Sequence, residues 1–182
     1  MSEKEVIQER IREKQQMLRA GRMMTKLFIA TSSLLFLTFF LVWLYQRLPD
    51  VSVPAIYETA TWFILMSSAL IIMSQIKIRE DDIKRALRFT FFGLVFGLFF
   101  LMLQFIGWSE FLASNMTYRN ILFPFSLVHF LHVLIGIILL FTVFFKMRSY
   151  KVHSRSKNYA FNVFIFWHFL GAIWLLFIGT TL

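Results

Sequence analysis

The chain has 182 residues, is 58% hydrophobic and 19% aromatic, and carries a formal net charge of +9 with no cysteine. Its mean hydropathy of +0.67 sets it apart from soluble domains, whose apolar share is about 45–50%. The lack of cysteine excludes disulfides, thiolate-bound zinc, iron–sulfur clusters, covalent c-type haem and a cysteine nucleophile.

Residues 1–25 are polar and densely charged, from Glu3 and Lys4 to Arg19 and Arg22. Ile7, Ile11 and Leu18 share one helical face, so this segment suits a short amphipathic helix as well as a solvated tail. It does not read as a secretory signal peptide, because its charged part is long and no small-residue cleavage site follows.

Five apolar blocks follow, at about 27–46, 56–76, 87–106, 121–145 and 160–180, with no Asp, Glu, Lys or Arg well inside any of them. About 20 apolar residues cross roughly 30 Å of hydrocarbon as a helix. The pattern therefore predicts an all-α, five-helix polytopic membrane domain over residues 26–182. Pro49 and Pro54 mark the loop after the first block, and Pro124 is expected in the first turn of the fourth helix. Trp43, Trp62, Trp108, Tyr45, Tyr57, Tyr118 and Tyr159 lie near block ends, as interfacial aromatics do.

Basic residues alternate with the blocks. Seventeen of the 19 lie before the first block, between the second and third, or between the fourth and fifth. Only Arg47 and Arg119 fall on the other side. The positive-inside rule then predicts a cytoplasmic N-terminus and a periplasmic C-terminus. The basic charge is thereby a topology signal and calls for no nucleic-acid partner.

The ionisable groups at membrane depth are His129 and His132 in the fourth block and His168 in the fifth; His153 falls in a basic loop. His129 and His132 are three apart and share a face with Ser126 and Gly136. In antiparallel helices His132 and His168 come within about 5 Å of each other in depth. Three readings fit: neutral imidazoles bonding neighbouring helices, bis-histidine haem ligation with Gly136 and Gly171 making room, or a proton relay. No carboxylate stands at that depth to complete a relay. Ser67 and Ser68 lack the strained turn of a serine nucleophile and read as packing hydroxyls. No phosphate-binding glycine loop appears. An ion-coupled transporter would call for interrupted helices and a midplane charge. Gly93 and Gly97 form a Gly-x-x-x-Gly pair, and Thr61, Ser68 and Gln75 recur every seven residues; both patterns read as helix packing. The 24 phenylalanines exceed what a five-helix interior needs, so much apolar surface must meet lipid or another membrane protein.

Four ordered segments resemble subunit III of the haem-copper cytochrome c oxidases. His129-Phe-Leu-His132-Val-Leu-Ile-Gly136 is similar to that family's His-x-x-His-Val-x-x-Gly run. Trp167-His168-Phe169 followed by Trp174 looks like its last helix. Thr59-Ala60 with Ser67-Ser68, and Gln104 with Trp108, match two earlier helices in the same order. The resemblance spans about residues 56–182 and implies the shorter, five-helix bacterial form of a seven-helix family. The chain departs from the family at Thr31-Ser32-Ser33, where a buried Glu is usual, and at Gly107 and Gly171, where carboxylates are usual.

The resemblance implies a non-catalytic accessory subunit of a terminal oxidase in the bacterial cytoplasmic membrane. Such a subunit carries no haem or copper of its own. It stabilises the haem- and copper-bearing catalytic subunit I, binds phospholipid and supports proton uptake, and it can enter a respiratory supercomplex. Within it, His129, His132, His168, Trp167, Trp174, Ser67, Ser68 and Gln104 form a structural intramembrane polar cluster, with no catalytic, cofactor or metal residue. The alternatives are an accessory subunit of a nitric oxide reductase system, a small haem b protein ligating through His132 and His168, and an independent transporter.

Overall fold

A computed structural model describes residues 3–46, 55–113, 119–149 and 154–179. They form five helices: α1 (Glu3–Gln46), α2 (Ala55–Arg79), α3 (Ile83–Ala113), α4 (Arg119–Arg148) and α5 (Ser154–Gly179). Each is long and apolar enough to cross a membrane. The chain is thus an all-α, multi-pass membrane protein.

Every helix reaches beyond its apolar block, because the backbone hydrogen-bond ladder need not stop where hydrocarbon does. The 44-residue α1 carries the charged stretch and the first block in one helix. At 1.5 Å per residue it is about 66 Å long, twice the hydrocarbon thickness. α4 begins at Arg119, so Pro124 lies in its second turn, one turn further in than expected. A proline there removes one rung of the ladder, leaving the Asn120 carbonyl without its i+4 donor. Pro49, Pro54, Arg47, Tyr118 and His153 lie outside the described residues.

α2 packs between α3 and α5, and α4 packs between the same two, which closes a four-helix arrangement; α1 lies outside it against α5 and α4. The buried stripe of α2 is Tyr57, Ala60, Ile64, Ser67, Ile71, Ser74 and Ile78, a seven-residue repeat of large and small side chains. Thr61, Ser68 and Gln75 keep the same period one residue later and are half-buried at the edge facing α5. Period alone does not give phase: the isoleucines, with more area to bury, take the inner positions. Gly93 and Gly97 do serve close approach. A Cβ at Gly93 would stand 2.8 Å from Ile71 Cδ1, and one at Gly97 2.8 Å from Trp167 Cη2.

The α2–α3 turn is closed by its own residues. Asp81 is left-handed at φ 60°, a conformation acidic side chains tolerate better than most. Asp82 N–H donates to the Lys77 carbonyl at 2.9 Å and Asp81 N–H to that of Ile78 at 3.3 Å, which is a Schellman closure. Asp82 then caps α3, accepting from Arg85 N–H at 3.0 Å. Lys157 at the start of α5 pairs with Asp81, tying the two basic loops together.

Candidate functional site

The eight polar or indole residues singled out by sequence fall into separate groups, most of them linking neighbouring helices. His129 is fully buried. Its ring stacks on Trp174 at 5.3 Å and on Phe125 at 6.1 Å, with Phe36 and Phe100 edge-on at 5.9 and 6.1 Å. Neither ring nitrogen has a hydrogen-bond partner among the described residues. One turn on, His132 turns toward α1. Its Nδ1 is 2.8 Å from the Val128 carbonyl and its Nε2 is 3.2 Å from Ser32 Oγ. A carbonyl only accepts, so Nδ1 carries the proton; in the uncharged ring Nε2 then accepts from the Ser32 hydroxyl. Both nitrogens are therefore engaged within the chain. His168 is half-buried on α5, beside α2, with its Nε2 enclosed and unpartnered. The structure does not turn His132 and His168 toward a common centre.

The two tryptophans of α5 each reach a hydroxyl on α2. Trp167 Nε1–H donates to Ser67 Oγ at 3.2 Å, and Ser67 Oγ–H donates on to the Gly93 carbonyl at 2.7 Å. One indole so joins α5, α2 and α3. Gly136 supports it from α4, where a Cβ would meet Trp167 Cε3 at 3.1 Å. Trp174 Nε1–H donates to Thr61 Oγ1 at 3.0 Å, and Thr61 donates to the Tyr57 carbonyl at 2.8 Å.

Gln104 belongs to a third group, centred on Ser126. Its Nε2 donates to the Ser126 carbonyl at 3.1 Å and lies 3.3 Å from the Ser126 hydroxyl. Trp108 Nε1–H donates to the same hydroxyl at 2.9 Å, and Tyr57 OH is 3.4 Å away. Gly107 lets Tyr57 lie flat against α3: a Cβ there would stand 2.2 Å from Tyr57 Cε1. Nearer the basic loops, Ser74 and Thr90 share a 2.7 Å bond between α2 and α3.

Sequence reasoning missed Ser126 and Thr61 as acceptors and Ser32 as the donor to His132. A signal existed, because a buried indole N–H needs an acceptor, so each intramembrane tryptophan implied a hydroxyl at its depth. Ser67 spends its proton on a backbone carbonyl, which leaves it no role as a base-activated nucleophile. Among the described residues, no three of His, Asp and Glu converge as metal ligands would. Among the described residues the arrangement couples helices.

A family model described as cytochrome c oxidase subunit III matches residues 4–181. The chain is 24% identical over 120 residues to subunit 3 of the cytochrome bo(3) ubiquinol oxidase of Buchnera aphidicola, covering 63% of this chain and 58% of that protein. It is 26% identical over 164 residues to cytochrome c oxidase subunit 3 of Artemia franciscana, covering 82% of this chain and 63% of that one. Against the Bos taurus subunit 3 the figures are 31% over 119 residues, 63% and 45%. The chain thus spans between 45% and 63% of the length of these curated relatives.

Proposed function

The chain belongs to the cytochrome c oxidase subunit III family, and on that premise we propose that it is a non-catalytic accessory subunit of a haem-copper terminal oxidase. Oxygen reduction, the haems and the copper belong to the partner chains. The accessory chain braces the catalytic subunit in a bacterial cytoplasmic membrane, with its N-terminus and the charged segment 1–25 on the cytoplasmic side. The observation that carries the reading, beside the family match, is how the polar groups at membrane depth are used. Trp108, Trp167, Trp174, Gln104 and His132 all hydrogen-bond within the bundle. They act as links between helices.

Lipid binding is part of the proposal. Two apolar grooves of about 560 and 200 Å³ run between α1 and the α4–α5 pair. The larger is lined by Thr25, Phe28, Leu139, Tyr159, Val163 and Phe166. Lys146 Nζ stands 3.7 Å above the Tyr159 ring, which supports an acyl chain in the groove with its phosphate at the basic side. Phospholipid held there, close to the catalytic subunit, is how such a chain would steady proton uptake.

Isolation of the chain in mild detergent from its own membrane tests the reading. A haem-bearing oxidase subunit should be the largest membrane protein recovered with it. Recovery with a nitric oxide reductase, or of this chain alone with stoichiometric haem lost on His168→Ala, would replace the proposal with a rival.

A further inference from the structure

In hydrocarbon, an exposed hydroxyl has no solvent to bond, and it usually turns back on its own helix. Five exposed or half-exposed hydroxyls of the spans do so: Thr25 to the Gly21 carbonyl at 3.0 Å, Thr31 to that of Leu27 at 3.0 Å, Ser33 to that of Ile29 at 2.7 Å, Thr38 to that of Leu35 at 2.6 Å, and Thr142 to that of Leu139 at 2.7 Å. Asn162, which lines the groove beside α1, departs from the rule, and so do three half-buried polar side chains on the other flank of α5. Ser68, Gln75 and His168 form no side-chain hydrogen bond with any described residue.

These three share one seam. Contacts along the antiparallel α2–α5 pair set the levels. Trp174 meets Thr61, a Cβ at Gly171 would meet Ser68 Oγ at 3.3 Å, and Arg79 lies over Phe161 at 5.6 Å. Gln75 is two turns from Ser68, about 10.5 Å, and His168 is one turn from Gly171 on the way to Phe161. All three therefore stand in the window between the Gly171 and Phe161 levels, inside the span. The outer α3 surface is the contrast, purely apolar with Phe92, Phe99, Met102 and Phe105 exposed. It suits acyl chains. The α2–α5 seam asks for hydrogen-bonding partners that acyl chains lack.

We infer that the α2–α5 seam, through Ser68, Gln75 and His168, is where the catalytic subunit docks, against a transmembrane helix bearing Ser, Thr, Asn or Gln side chains at the same depth. The small exposed residue Ala172, beside half-buried Ser68, lets that helix approach closely, and close backbones with shared hydrogen bonds are what hold helices together in lipid. This inference rests on the accessory-subunit reading and adds the face.

The test uses the assembly isolated from its own membrane, with p-benzoylphenylalanine replacing Ile72 or Ala172 on the seam, or Phe99 on the α3 face as control. Irradiation should join positions 72 and 172, and not 99, to the haem-bearing subunit. If that subunit co-purifies but is joined only from position 99, the seam is wrong and the accessory role stands. The same holds if positions 72 and 172 yield only lipid adducts or a dimer of this chain. If no haem-bearing subunit co-purifies, the accessory reading fails and the named partner falls with it. As a second measurement, the triple variant S68A/Q75L/H168L should lose tenfold or more of the co-purifying subunit while melting like the parent chain. Undiminished recovery would overturn the role of these side chains.

Discussion

At Ser126 one hydroxyl accepts from the Trp108 indole at 2.9 Å and faces the Gln104 amide at 3.3 Å. Ser126→Ala leaves the indole N–H unpaired in a dry site, and the bundle should lose about 1–2 kcal/mol. Denaturant or thermal unfolding in mild detergent reads the loss, and Ser126→Thr, which restores a hydroxyl, should recover most of it. His129 makes the opposite case. Both its ring nitrogens are buried without a partner among the described residues, inside a box of aromatic rings. Replacing an unsatisfied polar ring by an apolar ring of similar shape removes its desolvation cost. His129→Phe should therefore be neutral or stabilising by about 1 kcal/mol, with oxidase turnover of the assembly unchanged. A drop in turnover with stability intact would give the imidazole a role beyond packing.

At the scale of elements, the α2–α3 corner shows how a helix pair is aimed. Asp81 and Asp82 sit side by side and do different work: one ends α2 in a left-handed conformation, the other starts α3 as its cap. Asp82→Ala should cost about 1 kcal/mol through the lost cap, and Asp82→Asn or Asp82→Ser should restore it; melting midpoints of the three variants decide. The helices themselves were legible from hydropathy, since all five predicted blocks lie within or largely within α1 to α5. Their true ends were less legible. Transfer to lipid and backbone hydrogen bonding obey different limits, so a helix such as Ile83–Ala113 outruns its apolar block at both ends.

For the whole molecule, the asymmetry of basic residues predicts that Arg12 lies on the cytoplasmic side and residue 119 on the other. The chain has no cysteine, so a single Arg12→Cys variant can be probed with a membrane-impermeant maleimide. It should react in inside-out vesicles and not in intact cells. Labelling in intact cells would reverse the orientation, and with it the side on which the larger α1–α4–α5 groove opens.

Hydropathy alone identifies this chain as a five-span membrane protein, and its ordered His, Trp, Ser and Gln motifs point to its family. Both are readable because hydropathy is a local property measured against a bilayer of constant thickness, and because a motif is a local string. Which neighbour each polar group finds was decided only by the tertiary structure. His129 and His132 share a helix face by spacing, yet the 60° between them on the helix turns one into the aromatic box and the other to Ser32, a hundred residues away. Ser67 and Ser68 differ by one position, and one is locked under Trp167 while the other is left at the seam. Helical period sets relative angles along one element. The rotation of that element against its neighbours comes from packing large side chains against small ones across the whole bundle, and no local stretch of sequence contains it.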